Sequence, residues 1–299
     1  MPDDSLITRR QAIGGGLAAT AGVATLAISR AAAGQLAPGS VDSCLARLEH
    51  RHGARVGVYA VNHHSGARFG YRASERFAFC SVYKAPLVAR VLRDFNRDGF
   101  LDRLIHYDHH DLIEGDFVTK LYVDTGMTVR SLCAAALANS DNVAANLLLR
   151  LTGGPAGLQH FLRSIGDRVT LVEHNEPSVN TAVPGQRRDT TTPQAIAEDF
   201  TRLLLGDTLP AFDRQQLRLW MQDDMVNTTR FRAAVPASWQ IADKTGTGSY
   251  GTANDVGVLW SSRGTPLTVA VLTTKSERQA DPDAALVAAA TRLAVKAVS

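Results

Sequence analysis

Apolar residues at Val41, Leu45 and Leu48 recur at helical spacing and predict a helix from Val41 to His50. Arg55 to Asn62, RVGVYAVN, is rich in Val and Tyr and predicts a strand. His63-His64-Ser65-Gly66 supplies a turn, and Ala67 to Tyr71 returns as a second strand, giving a hairpin. The middle of the chain is helical in period. Ser81 to Phe95 carries Val88, Val91 and Leu92 on one face, and Thr128 can cap VRSLCAAALA. Asn142 to Leu151 continues as a helix that stops at Gly153-Gly154, and Leu158 to Ile165 is a short amphipathic piece. Thr192-Pro193 is a cap with proline in the first helical position, ahead of QAIAEDFTRLLL, and Asp213 is expected to open one more helix. Short β-like runs follow at Trp239–Lys244, Asp255–Trp260 and Leu267–Leu272, and Asp283 to Val298 closes as an Ala-rich helix. Strands at both ends with helices between predict an α+β architecture. An antiparallel sheet flanked by helices is joined to an all-helical lobe, with a site in the cleft between them. The sheet lobe is expected from about residues 40–80 and 225–299, and the helical lobe from about 81–224.

Composition narrows the class. The 299 residues are 45% hydrophobic and 20% charged, which excludes disorder as an overall description. The formal charge of +3, from 32 basic and 29 acidic residues, gives no reason to expect a nucleic-acid partner. The first 33 residues are set apart from the fold. Arg9 and Arg10 precede a Gly/Ala-rich apolar run, Ala12 to Ile28, and Ala31-Ala32-Ala33 offers a small-residue cleavage site. The run is too short for a comfortable membrane span. The paired arginines resemble a twin-arginine export signal, so residues 34–299 are expected to form the exported domain, in the periplasm or released to the medium. Cleavage after Ala33 removes three arginines and two aspartates, so the charge falls from +3 to +2. Cys44, Cys80 and Cys133 are odd in number and are expected to be free, buried thiols.

Three short motifs carry candidate chemistry. In Ser81-Val82-Tyr83-Lys84, residues i and i+3 share a helix face, so the Lys84 amine can reach the Ser81 hydroxyl and take its proton. Ser140-Asp141-Asn142 lies between two helical runs and can aim a hydroxyl and an amide into the cleft, or simply cap a helix. Lys244-Thr245-Gly246 sits on a strand and is followed by Thr247; Gly246 is expected to let a substrate lie against the strand, and Lys244 adds a cation. Each motif alone is weak, because S-x-x-K should occur about once by chance in a chain of this length.

In this order, 59 residues from Ser81 to Ser140 and 104 from Ser140 to Lys244, the set resembles the class A serine β-lactamases and, more distantly, the penicillin-binding proteins. The resemblance spans essentially the whole mature chain. Glu176-Pro177-Ser178-Val179-Asn180, ahead of Arg188-Asp189-Thr190-Thr191, resembles that family's omega-shaped loop. The resemblance implies that Ser81 attacks the lactam carbonyl, with the backbone N–H groups of Ser81 and Thr247 as oxyanion hole. Lys84, or Glu176 through a water, takes the proton; the two remain alternatives here. Ser140 passes a proton to the lactam nitrogen, and Glu176 with Asn180 directs water at the acyl-enzyme. Asn142 would bind the substrate's side-chain amide, and Lys244, Thr245, Gly246 and Thr247 its carboxylate end. Small β-lactam molecules are the implied partners, with no cofactor and no metal, and a monomer is expected. His106, His109, His110 and Asp111 do not have a metallo-β-lactamase spacing and are expected to form an exposed polar turn.

Four departures from the family pattern matter. The arginine often found after K-T-G is matched by Ala253, and Arg230 is the expected substitute, with Arg232 as the alternative. The arginine two residues before the loop glutamate is matched by His174. An ordinary histidine is mostly neutral at pH 7, which implies a looser loop, more tolerant of bulky cephalosporin side chains and stiffer at acid pH. Gly115, with Phe117 nearby, stands where an aromatic often guards the mouth and implies a wider entrance. Val88 matches the usual cysteine partner of Cys133, which implies no disulfide. Two rivals remain: a penicillin-binding D-alanyl-D-alanine carboxypeptidase and a β-lactam sensor. Glu176 and Asn180 argue against the first, and the complete set of Ser81, Lys84, Ser140, Lys244 and Glu176 argues against the second.

Overall fold

A computed structural model describes residues 38–226 and 228–299. The proposed export signal lies outside the described residues. The chain begins with α1 (Pro38–His52), then β1 (Ala54–Asn62), β2 (Arg68–Tyr71) and the two-residue β3 (Phe77–Ala78). A 3-10 turn over Cys80–Tyr83 leads into α2 (Lys84–Arg90), whose last residues continue as a π-turn, Val91–Phe95. The expected single helix from Ser81 is therefore three kinds of turn. β4 (Leu104–Ile105) and β5 (Met127–Thr128) form a small ladder ahead of α3 (Val129–Ala138), α4 (Asn142–Leu151) and α5 (Gly154–Ser164). β6 (Thr190–Thr191) pairs with β3, and α6 (Pro193–Leu204), α7 (Ala211–Gln222) and the short α8 (Phe231–Ala234) follow. β7 (Gln240–Gly248), β8 (Thr252–Trp260), β9 (Pro266–Lys275) and α9 (Ala284–Val298) complete the described chain.

The α+β expectation holds. The main sheet is antiparallel throughout, in the order β2-β1-β9-β8-β7. Its residues alternate between two apolar clusters, as the two-residue period of a strand requires. Val56, Val58, Ala60, Val269 and Val271 face α1 and α9 on the outer side. Tyr59, Val256, Val258, Ala270 and Leu272 face the helices of the inner side, where α6 lies across β1, β8 and β9. With both faces covered, β8 and β9 are buried along nearly their whole length rather than on alternate residues.

The caps behave as expected. Thr128 Oγ1 accepts from Ser131 N, Asp141 from Ala144 N, Thr192 from Ala195 N and Asp283 from Leu286 N. Two helices begin earlier than expected. α7 starts at Ala211 behind Pro210, and Asp213 instead sits in its first turn, accepting from Asn96 Nδ2 at 2.6 Å. Gly153 and Gly154 both take left-handed φ, but Gly154 already begins α5. α2 is buried from Lys84 to Ala89 and packs against α3, α4, α5, α6 and α7. The helix that carries Lys84 is thus the hub of the helical lobe. Cys80 and Cys133 are buried free thiols, raised in pKa by burial, whereas Cys44 is only half-buried and accepts from Arg47 Nη2. His109–Asp111 form a 3-10 turn capped by Asp108, and Asp111 pairs with Arg150 at 2.7 Å. Among the described residues no helix is long and apolar enough to cross a membrane.

Candidate active site

A cleft of about 750 Å³ opens between the sheet edge and the helical lobe. Ser81, Ser140, Asn142, Asn180, Thr245 and Thr247 all line it. Three of the four sides come from separate elements: the turn before α2, the loop before α4, and β7 at the edge of the sheet. An edge strand keeps half of its backbone polar groups unpaired by neighbours, and here that edge borders the cleft.

Ser81 is nearly buried, at 7% exposed, and follows Cys80, whose φ of 48° is left-handed. A side chain in that region is held by its surroundings, here by the close approach of β7. A Cβ on Gly246 would lie 2.5 Å from Phe79 O, and one on Gly248 2.6 Å from Asn180 O. The glycine of K-T-G thus lets the strand approach the serine turn and the loop behind it. The sequence expectation that Gly246 makes room for substrate is corrected accordingly: the space is filled by this chain's own backbone.

Lys84 is completely buried, and its Nζ meets four acceptors. These are Asn142 Oδ1 at 2.6 Å, Ser140 O at 2.7 Å, Glu176 Oε1 at 3.1 Å and Ser140 Oγ at 3.4 Å. The Ser81 hydroxyl donates to Glu176 Oε1 at 3.4 Å. The one-turn spacing of Ser81 and Lys84 therefore works through a shared carboxylate, not the direct bond that the spacing suggested. Burial lowers the Lys84 pKa to about 8; Glu176 opposes that shift and Lys244 adds to it.

Glu176 gathers further donors. Tyr83 Oη lies at 3.3 Å from Oε1, and Asn180 Nδ2 donates to Oε2. Asn180 Oδ1 is buried and accepts no bond from the described residues. The Glu176 backbone is held on both sides by one residue that sequence reading missed. Asn146 Oδ1 accepts from Glu176 N at 2.9 Å, and Asn146 Nδ2 donates to Glu176 O at 3.0 Å. Asn146 lies one helical turn beyond Asn142 on α4, a polar residue among apolar neighbours in NVAANLLLRL. That isolated polarity was the available signal.

The motif at 140–142 serves as both cap and presenter. Ser140 has a φ of 57°, and Asp141 fixes it there. The Asp141 carboxylate is fully buried and accepts from Ala144 N, Val118 N, Thr119 N and Thr119 Oγ1 at 2.8–3.0 Å. Asn142 Nδ2 donates to Glu114 O, and Gly115 lies so close to it that a Cβ there would be 2.4 Å from Nδ2. Gly115 is thus required by Asn142, while Phe117 is largely exposed at the rim.

The cations at the sheet end differ in access. Lys244 is fully buried, donates to Thr245 O at 3.3 Å, and does not line the cleft. Burial lowers its pKa, against the pull of Asp224 and Asp243. Arg230 is 7% exposed; its guanidinium donates to Gly246 O at 3.0 Å, Asn254 O at 2.6 Å and Thr247 Oγ1 at 2.6 Å. Arg232 instead faces Trp239 O and Pro236 O. Of the two candidate arginines only Arg230 reaches the K-T-G-T strand. Asp255, burial-raised to about 6, accepts from Phe231 N and anchors the Arg230 segment.

His174 sits in the pairing position. Its Nδ1 lies 2.5 Å from Asp189 Oδ2, and Asp189 Oδ1 accepts from Glu173 N and His174 N. The loop's aspartate thus keeps a side-chain partner despite the absent arginine.

A nucleophile-bearing turn, a buried lysine, a carboxylate on a loop and a strand edge define a serine acyl-transfer enzyme of α+β fold. Residues 40–298 match the model of the beta-lactamase enzyme family, and the chain belongs to that family. The chain is 46% identical over 258 residues to the beta-lactamase AST-1 of Nocardia asteroides, covering 86% of this chain and 83% of that one. It is 46% identical over 253 residues to the carbapenem-hydrolyzing beta-lactamase KPC of Klebsiella oxytoca, with 84% and 86% covered. The beta-lactamase of Streptomyces albus G superposes with a TM-score of 0.84 at 44% identity, covering 87% of this chain and all of the other.

Proposed function

We propose that this chain hydrolyses the amide of penicillins and cephalosporins through a Ser81 acyl-enzyme, and so confers resistance to them. The observation that carries the reading is the placement of Glu176. Its carboxylate lies 3.4 Å from the Ser81 hydroxyl and 3.1 Å from Lys84, inside a buried pocket. A group so placed can direct water at an ester on Ser81, and Asn180, with a buried unpartnered Oδ1, supplies an acceptor beside it.

Acylation begins with loss of the Ser81 proton. Glu176 holds that proton's hydrogen bond and is assigned as its acceptor, directly or through water; Lys84, with its lowered pKa, keeps the network charged and is the alternative base. The carbonyl oxygen enters a hole formed by the N–H groups of Ser81 and Thr247, each donor worth about 3–4 kcal/mol in such sites. The proton passes from Glu176 through Lys84 Nζ to Ser140, which delivers a proton to the departing lactam nitrogen and leaves Glu176 ionised. Asn142 receives the substrate's side-chain amide. Thr245, Thr247 and Arg230 take its carboxylate, and Lys244 acts from beneath through its charge. Glu176 then activates water against the ester. Residues 1–33 are assigned as a twin-arginine export signal, and the active form as an exported monomer.

The test mixes purified protein with a chromogenic cephalosporin in many-fold excess, alongside Glu176→Ala. Steady turnover in the parent with a one-equivalent burst in the variant supports the assignment. A one-equivalent burst in the parent identifies a penicillin-binding carboxypeptidase or a sensor instead.

A further inference from the structure

A cavity of about 1010 Å³ borders the tip of the omega-shaped loop and shares no lining residue with the cleft. Its walls are the end of α1, the start of β1, the end of β9, and the loop tip Ala182–Arg187. Five cations line it: Arg55, Arg72, Arg76, Arg187 and Lys275. Only two carboxylates do, Glu49 and Glu75. Both carboxylates are already taken. Arg72 binds Glu49 at 2.8 Å and Glu75 at 3.0 Å, and Arg55 binds Glu75 at 3.2 Å.

Arg76 and Arg187 remain without a carboxylate in hydrogen-bond contact, although Asp167 lies near enough to act on the Arg76 charge. Arg76 donates only to neutral acceptors, Thr190 Oγ1 at 2.9 Å and Val169 O at 2.7 Å. Arg187 has no carboxylate partner among the described residues. Burial, and then the nearby Arg187, hold the Arg76 pKa below the ordinary arginine value. Thr190 joins the two, since it accepts from Arg76 and donates to Arg187 O at 2.5 Å. Lys275 turns toward Asp281 O and Asp283 at the cavity's edge. A concave wall with surplus positive charge concentrates anions, and guanidinium pairs suit oxygens of phosphate type.

We propose that this cavity is a second binding site, for a multivalent oxyanion of the phosphate class held between Arg76 and Arg187. Arg187 is on the loop and Arg76 lies just ahead of β3 on the body of the fold. An anion bridging them ties the loop that carries Glu176 and Asn180 to the sheet. The binding site stands independently of the proposed activity; only its effect on turnover rests on that reading.

The probes are inorganic pyrophosphate and a phosphate monoester, titrated calorimetrically into the whole protein at fixed ionic strength. Arg187→Glu and Arg76→Gln are compared with Arg230→Gln, which weakens any anion binding in the cleft. The expected result is at least a tenfold loss of affinity in both cavity variants, with their melting temperatures showing that they fold, and retention in Arg230→Gln. Saturating pyrophosphate is then expected to leave the cephalosporin KM unchanged while altering kcat. No binding by the parent, equal binding by the cavity variants, or loss confined to Arg230→Gln with a purely raised KM overturns the proposal.

Discussion

Replacing Asn146 by alanine removes a side chain that clasps the Glu176 backbone on both its N–H and C=O sides. Glu176 itself is buried, although Asn175 and Pro177 beside it are exposed, and each of its backbone groups left unpaired and away from water costs about 1–3 kcal/mol. The two together amount to roughly 2–6 kcal/mol, acting on the loop rather than on the core. The chemistry that depends on Glu176 position should suffer most. Stopped-flow measurement with a chromogenic cephalosporin should therefore show acyl-enzyme accumulating in Asn146→Ala, with deacylation slowed at least tenfold and acylation less affected. Asn146→Asp keeps the acceptor for Glu176 N but not the donor to Glu176 O, and should fall between the two. If deacylation and thermal stability of Asn146→Ala both equal those of the parent, the clasp has no role in presenting Glu176.

Arg230→Ala should raise KM by about ten- to a hundredfold, as expected for charge-assisted hydrogen bonds of about 1.5–3 kcal/mol, whereas Arg232→Ala should leave it unchanged; steady-state kinetics on one penicillin decides. Burial holds the Lys84 pKa near 8, below that of an unfolded lysine, so its unfolded form binds the extra proton between about pH 8 and 10.5. This group therefore costs stability below pH 8 and releases that cost as the pH rises through the window, which denaturant titrations of the parent and Lys84→Met can compare. Because Glu176 raises the Lys84 pKa, any Lys84-dependent acylation in Glu176→Gln should level off at lower pH than in the parent, read by single-turnover rates. His174→Arg should change cephalosporin turnover and its pH dependence; unchanged profiles would show that the Asp189 contact is indifferent to the charge of its partner.

Much of the fold was legible because its period was clean. β1 and the capped helices α3, α4 and α6 appear within a residue or two of their expected bounds, since strong caps and two-sided burial leave little freedom. β7 and β8 run several residues further than expected, because Thr and Gly in the ladder carry no hydropathy signal. Ser81, Lys84, Ser140 and Glu176, singled out by the sequence motifs, are brought together by the fold over nearly a hundred residues. Their connectivity was not legible. Helical spacing places two residues on one face, but whether an amine reaches a hydroxyl depends on a third group from a distant loop. Likewise the reason for Gly246 lay in Phe79, which no local window contains.

β9 is the last strand in the chain, yet it occupies the middle of the sheet, between β1 and β8. Ala54 pairs with Lys275, so nearly the whole domain is looped out between two neighbouring residues of the sheet. During synthesis β1 can be covered on one edge by β2, while the backbone N–H and C=O groups of its other edge wait unpaired until β9 emerges. Such an open edge is a template for pairing with the wrong chain. The helical lobe, built from contacts closer in sequence, can form well before then. The order of assembly written into this topology makes the period of synthesis the time of highest aggregation risk, and makes a late-bound β9 the step that closes the nascent molecule.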